Sequence, residues 1–288
     1  MRNILLSYFL LIISINLSNA QVLSLVPHPL QNYQHPFNEK FIKRNNISAI
    51  QVEISSKKEM DIIRAAHQFL VFEFNKDGKL MSEKKFEMGD VDTLNFAFEY
   101  NEDGSLILEQ EFIGNGILEK KYTYGPDKKK KSIQYSKIDF FKNESNLISI
   151  DSIKNVTIDG TIIQTYYNDY GRAYREIRLY YDSLDYLTHY RETFIISHNQ
   201  NTIDYSYNDY GLLKEIDYYF ALSDTKRREE YIYNDEGVPD TFLIYENGNL
   251  TKRKEYLYNS DGSLNAILFK EMETNLITIW QFTYLKSY

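Results

Sequence analysis

A nine-residue pattern recurs along this chain and limits what it can fold into: aromatic, any residue, aromatic, Asn, two residues, Gly, any residue, apolar. It reads Phe72-Glu73-Phe74-Asn75 with Gly78 and Leu80, then Phe98-Glu99-Tyr100-Asn101 with Gly104 and Leu106. It returns as Tyr205-Ser206-Tyr207-Asn208 with Gly211, Tyr231-Ile232-Tyr233-Asn234 with Gly237, and Tyr256-Leu257-Tyr258-Asn259 with Gly262. Tyr166-Tyr167-Asn168 with Gly171 lacks the first aromatic, and Tyr181-Asp182 carries Asp185 at the glycine position. Gly78 and Gly104 are 26 residues apart, as are Gly211 and Gly237; Gly237 and Gly262 are 25 apart. Between Gly104 and Gly171 the register is lost, with Tyr122-Thr123-Tyr124-Gly125 as a degenerate copy.

The residue types explain the pattern. Aromatics two apart share one face of a strand. Asn bonds its own backbone two residues on and starts a reversal. Gly supplies the left-handed conformation that closes a type I turn with a bulge. A second reversal, such as Glu246-Asn247-Gly248-Asn249, falls midway through a period. Each period therefore predicts two strands and two turns, consistent with strands of roughly 5–6 residues. The fold expected is all-β: an elongated antiparallel meander of tandem hairpins, either a single twisted sheet or a spiral strip.

Pro27, Pro29 and Pro36 predict an extended lead-in over 21–46, with a short helix at Asn38 to Lys43 capped by Asn38. The hairpin repeat domain is expected over 47–288. Ile47 to Ser55 and His67 to Phe74 read as strands, Asn143 to Asp159 as a hairpin without the motif, and Trp280 as a cap on the last strand.

The pattern resembles the YD repeat of the RHS family, whose usual form is Tyr-x-Tyr-Asp-x-x-Gly-Arg-Leu. Here Asn replaces Asp in most copies, and only Gly171-Arg172 keeps the Gly-Arg pair. The resemblance covers about residues 70 to 110 and 165 to 270. It implies a meandering antiparallel strip, which in that family spirals into a shell around a toxin. The chain has far fewer repeats, with no aspartate-rich self-cleavage core and no toxin-like C-terminal domain. No functional residue carries over.

Residues 1–20 have the three parts of a secretory leader: Arg2, an apolar run from Ile4 to Leu17, and Ser18-Asn19-Ala20 before Gln21. The apolar run is shorter than the roughly 20 residues a spanning helix needs. No later stretch reads as a transmembrane segment. The expected location is the periplasm, the cell surface or the extracellular medium. The chain has no cysteine, so neither disulfides nor a lipid-bearing cysteine contributes. A net charge of −8 disfavours nucleic acid as a partner. Lys128 to Lys131, after Gly125-Pro126-Asp127, read as a solvated loop tip.

No catalytic or cofactor constellation stands out. His28, His35, His67, His189 and His198 lack metal-site spacing, although His189 and His198 could face each other across a hairpin. The Asn-x-Asp-Gly turns are explained by hairpin geometry without calcium. There is no Gly-x-Ser-x-Gly elbow. Pairs such as Glu229-Glu230 and Asp182/Asp185 are what an acidic β-protein supplies by composition. The 26 Tyr and 17 Phe are the most distinctive feature. Tyr205, Tyr207, Tyr231, Tyr233, Tyr256 and Tyr258 form either cross-strand ladders or an aromatic strip for a glycan or an envelope protein. The function expected is that of a non-catalytic binding or structural module of the cell envelope. The alternative is an exported glycan hydrolase using paired carboxylates.

The leader makes a direct prediction. The exported protein should begin at Gln21 when its N-terminus is read by mass spectrometry. Recovery of an exported chain still carrying Met1–Ala20 would contradict the reading.

Overall fold

The computed structural model describes residues 22–27, 36–87, 93–142 and 144–286; the leader, His28 and His35 lie outside them. Among the described residues, one short helix, α1 (Glu39–Arg44), precedes 18 strands. They are β1 (Ile47–Lys58), β2 (Arg64–Phe74), β3 (Leu80–Glu87), β4 (Thr93–Tyr100), β5 (Leu106–Ile113), β6 (Gly116–Tyr124), β7 (Lys130–Asp139), β8 (Glu144–Ile158) and β9 (Thr161–Tyr167). They continue as β10 (Ala173–Tyr181), β11 (Leu187–Phe194), β12 (Gln200–Tyr207), β13 (Leu213–Phe220), β14 (Thr225–Tyr233), β15 (Pro239–Glu246), β16 (Asn249–Tyr258), β17 (Leu264–Glu271) and β18 (Leu276–Lys286).

Each strand pairs antiparallel with its neighbours in sequence, and β1 pairs with β18 from Ile47↔Lys286 to Lys58↔Leu276. The sheet is therefore a closed 18-stranded barrel. This corrects the expectation of an elongated open meander, twisted sheet or spiral strip. The hairpins are as the repeat implies, but the two ends of the sheet satisfy each other's backbone groups. A second correction concerns Asn143 to Asp159: Glu144–Ile158 is one 15-residue strand, paired with β7 on one side and β9 on the other.

The motif turns share one geometry. The Asn75 N–H donates to the Lys79 carbonyl, the Gly78 N–H to the Asn75 carbonyl, and Asn75 Oδ1 accepts from the N–H groups of Asp77 and Lys79. Asn168, Asn208 and Asn234 repeat this set. Asp182 takes the Asn role, with Asp185 in the glycine position at φ 63°. The degenerate copy closes the same way from Gly125, with Lys128 left-handed at φ 59°. Its lysine is at an exposed tip, paired to Asp103 at 2.9 Å.

A second device links successive repeats. The hydroxyl of the second motif aromatic donates to the carbonyl of the apolar residue after the preceding turn. Tyr100 reaches Leu80 (2.9 Å), Tyr124 Leu106 (2.6 Å), Tyr207 Leu187 (2.8 Å), Tyr233 Leu213 (2.5 Å) and Tyr284 Leu264 (2.9 Å). Tyr258 stands after the one period that is a residue short, and its buried hydroxyl has no partner among the described residues.

Strand register divides the side chains into two walls. One carries the buried apolar residues, including Ile50, Val52, Leu70, Phe72, Ile177, Leu179, Ile216 and Ile267. Against it packs the lead-in, with Val22, Leu23, Phe37, Phe41 and Ile42 all buried beside residues of β1 to β4, β17 and β18. One short segment can touch that many strands only from the concave side, so this is the inner wall. Helix α1 is capped by Asn38, whose Oδ1 accepts the Lys40 N–H at 3.0 Å.

The α1 contact gives one motif glycine a second role. A Cβ on Gly78 would stand 2.1 Å from the Glu39 carbonyl oxygen, whereas one on Gly171 would meet nothing within 4 Å. Both have positive φ, so alanine costs each about 1–2 kcal/mol in backbone strain. Overpacking adds about 1–3 kcal/mol at Gly78 alone. In denaturant titrations Gly78→Ala should lose clearly more stability than Gly171→Ala; equal losses would show that α1 is not seated on this turn.

Candidate functional site

The inner wall holds the residues the repeat emphasises. Tyr205 and Tyr207 (β12), Tyr231 and Tyr233 (β14), and Tyr256 and Tyr258 (β16) all face inward and are half-buried. The residue between each pair, Ser206, Ile232 or Leu257, is exposed on the outer wall. Tyr205 lies opposite Ile216, Tyr256 opposite Ile267, and Tyr231 opposite Phe242 with ring centroids 4.7 Å apart. The first aromatic of a motif thus packs across to the next strand, while the second ties its hydroxyl to the preceding repeat.

Charged groups are set among these rings. Glu229 is buried and accepts from the hydroxyls of Tyr218 (3.3 Å) and Tyr231 (3.1 Å), and is paired with Arg227. Lys254 lies over the rings of Phe242 (4.7 Å) and Phe269 (5.2 Å), and burial lowers its pKa. Burial likewise brings Lys130, 4.5 Å from the Tyr122 ring, down to about 8. Tyr207 is pushed up to about 12 by burial, and Tyr205, Tyr231, Tyr233, Tyr256 and Tyr258 are raised for the same first reason.

The outer wall is laced with ion pairs. Glu73–Lys84 (2.7 Å), Glu119–Lys121 (2.8 Å), Glu176–Arg178 (2.7 Å), Asp217–Arg228 (3.0 Å) and Arg253–Glu255 (2.7 Å) lie on it. His189 Nδ1 is 2.6 Å from Asp204 on this wall, while His198 is an exposed turn residue at φ 57°. The two histidines do not face each other. Among the described residues, no group of three or more His, Asp or Glu could hold a metal ion.

A cavity of about 470 Å³ lies where the repeat register fails. Its lining includes Leu118, Lys120, Tyr135, Ser149, Asp151 and Tyr174, together with Ile148 and Asn168. Two bulges shape it. Tyr135 pairs with Ser149 but Ser136 with Leu147, leaving Ile148 as an extra residue. Ala173 pairs with Tyr167 but Arg175 with Tyr166, leaving Tyr174 extra. Bulges re-aim side chains out of strict alternation, and they concentrate beside functional sites. The β8 strand also overshoots β9, whose pairing begins at Ser152↔Tyr167. The N–H of Ile150, left beyond the ladder, donates to Asp169 Oδ1 of the next motif turn at 2.6 Å. The result is a notch in the inner wall.

Inside it, the buried Asp151 accepts from the Tyr174 hydroxyl at 2.7 Å. Burial pushes Tyr135 up to about 12, with Asp151 adding to the effect, and also raises Tyr174. The Lys120 ammonium is held by Glu109 at 2.6 Å. The Glu119 carboxylate turns to the outer wall, bonding Gln110 (2.9 Å) and Lys121. Sequence reading missed this cavity. The one signal for it was the break in the 26-residue spacing between Gly104 and Gly171.

No family model matches the chain, and no curated protein matches it. Among solved structures it is similar to a porin-like protein from Bacteroides uniformis, at 12% identity and a TM-score of 0.38, covering 84% of this chain and 97% of that one. A Tc holotoxin pore from Photorhabdus luminescens is 12% identical over 75% of this chain, with a TM-score of 0.33; the match spans 13% of the toxin chain. A LolA superfamily protein from Nitrosomonas europaea is 7% identical, with a TM-score of 0.27, over 85% of this chain and 88% of that one. Likenesses this small do not establish a shared fold.

The inward tyrosines set the alkaline limit of the fold. Their pKa values lie above the ordinary value of about 10. As pH rises through 10, the unfolded chain releases protons that the folded chain keeps, so stability falls. Tyrosine ionisation followed by ultraviolet absorbance should coincide with loss of the β circular-dichroism signal. Ionisation of most rings near pH 10 with the fold intact would contradict the inward placement.

Proposed function

We propose that this is an exported, water-facing barrel that binds a partner or ligand without catalysis, in the cell envelope or outside it. The observation that carries this reading is the contrast between the walls. An outer wall of ion pairs suits water, since each Arg or Lys facing lipid near the bilayer centre would cost about 2–4 kcal/mol. An inner wall of tyrosines, aliphatics and a few buried charges suits recognition, because amphipathic rings offer both contact area and a polar tip. The leader-like residues 1–20 support export. A glycan or an envelope protein fits such a wall; a polyanionic nucleic acid does not.

The hydrolase alternative needs two carboxylates facing one cleft. Glu229 and Glu230 are on opposite walls, as are Asp151 and Glu119, and Asp182 and Asp185 belong to one turn. Glu215, raised by burial and the neighbouring Asp217, is on the outer wall with Arg228, away from the cavity. None of the carboxylate pairs that the sequence singles out shares a cleft, which favours binding.

Expressed with its own leader, the protein should be recovered outside the cytoplasm, remain monodisperse without detergent, and stay in the supernatant when mixed with lipid vesicles. Retention in the cytoplasm, or a requirement for detergent, would overturn the proposal.

A further inference from the structure

We infer that the notch between β6, β7, β8 and the start of β10 is a binding site for a neutral hydroxyl-rich ring, a single sugar unit of a glycan. This rests on the binding reading above and gives it a place and a ligand class.

Size is the first argument. A cavity of about 470 Å³ falls within the roughly 300–1,000 Å³ typical of small-molecule sites. Local construction is the second. The notch combines a bulge at Ile148, which belongs to no repeat copy, with the β8 overshoot and with the bulge at Tyr174 that follows the Gly171 turn as it follows other motif turns. Here Ser149 and the buried Asp151 stand on the inner wall beside the rings of Tyr135 and Tyr174.

The chemistry narrows the ligand. Tyr135, Tyr174, Leu118, Ile148 and the stem of Lys120 give apolar surface, which suits the C–H face of a sugar. Polar capacity is mixed. Asp151 accepts, and the Ser149 hydroxyl both donates and accepts. Asn168 has its Oδ1 occupied by the N–H groups of Tyr170 and Arg172, which leaves its amide N–H groups to donate. Sugar hydroxyls match such a set of donors and acceptors.

Anions are disfavoured because the Asp151 carboxyl group lines the notch and Glu109 already pairs with Lys120. Organic cations are disfavoured because Arg175, seated 3.9 Å from the Tyr166 ring centroid, brings a positive charge near the site, where it opposes part of the rise that burial gives Tyr135 and Tyr174. A pure hydrocarbon would shield the Ser149 hydroxyl and the Asn168 amide from water without replacing their hydrogen bonds.

The test is a glycan array followed by calorimetric titration of the purified full chain with the best neutral saccharide and, separately, with choline and inorganic phosphate. A neutral saccharide should bind. Its affinity should fall at least ten-fold in Asp151→Asn and in Tyr135→Leu, and stay unchanged in the outer-wall variant Leu257→Ser. Circular dichroism and melting confirm that each variant is folded. Should Asp151→Asn fail to fold, Ser149→Ala is read in its place, with the same loss expected. Three results would overturn the inference: no saccharide binding by the folded chain, binding that survives the notch variants, or binding of choline or phosphate in place of sugar. Export without sugar binding would sink this inference and leave the proposed function standing. Sugar binding by a chain that stays in the cytoplasm would do the reverse.

Discussion

The pairing of β1 with β18 is the contact on which the rest of the structure depends. Seventeen hairpin-type pairings follow from sequence neighbours, and each could exist in an open sheet. An open sheet of this size would present two long edges of unpaired N–H and C=O groups, ready to add strands from other chains. Closure removes both edges at once. It also bends the sheet so that one face becomes concave, which lets a few lead-in residues contact strands from both ends of the chain.

Within the ring, the motif divides its labour by position. Asn and Gly fix the turn, the first aromatic packs on the next strand, and the second ties its hydroxyl to the preceding turn. A net hydrogen bond contributes about 0.5–1.5 kcal/mol, so five such links add up without any one being decisive. The first and second aromatics of a motif point the same way because they are two apart, and closure decides that this way is inward. Tyrosine density is thereby a property of the interior. The exterior carries charged pairs, alongside exposed apolar residues such as Ile232 and Leu257.

The repeat made the strands, the motif turns and the all-β class legible, because those depend on residues close in sequence. Asp182 and Asp185, and Gly125 and Lys128, show the turn surviving even where its preferred residues are replaced. Closure was not legible. It joins Ile47 to Lys286, and neither β1 nor β18 announces a partner more than 200 residues away. Strip and ring share one local pattern and differ only in curvature summed over all the strands. The long β8 was misread as a hairpin because its polar, irregular sequence lacks the alternation that marks strands elsewhere. For the candidate site, the six tyrosines were legible as a set sharing one face. The notch was visible only as a gap in the spacing: the bulge at Tyr174 is the one that follows other motif turns, and the bulge at Ile148 carries no residue signature of its own.

The closed ring also sets how a chain like this can change length. In an antiparallel ring with hairpin connections, the first and last strands can pair antiparallel only if the number of strands is even. One period of 26 residues holds two strands and two turns, so it is the smallest unit that preserves this parity. Duplicating or deleting a whole period would give a wider or narrower barrel that still closes. Gaining a single strand would force the last pairing to be parallel and leave the seam unmatched. The period of the sequence and the parity of the ring are thus one constraint, which ties growth of this fold to whole tyrosine repeats.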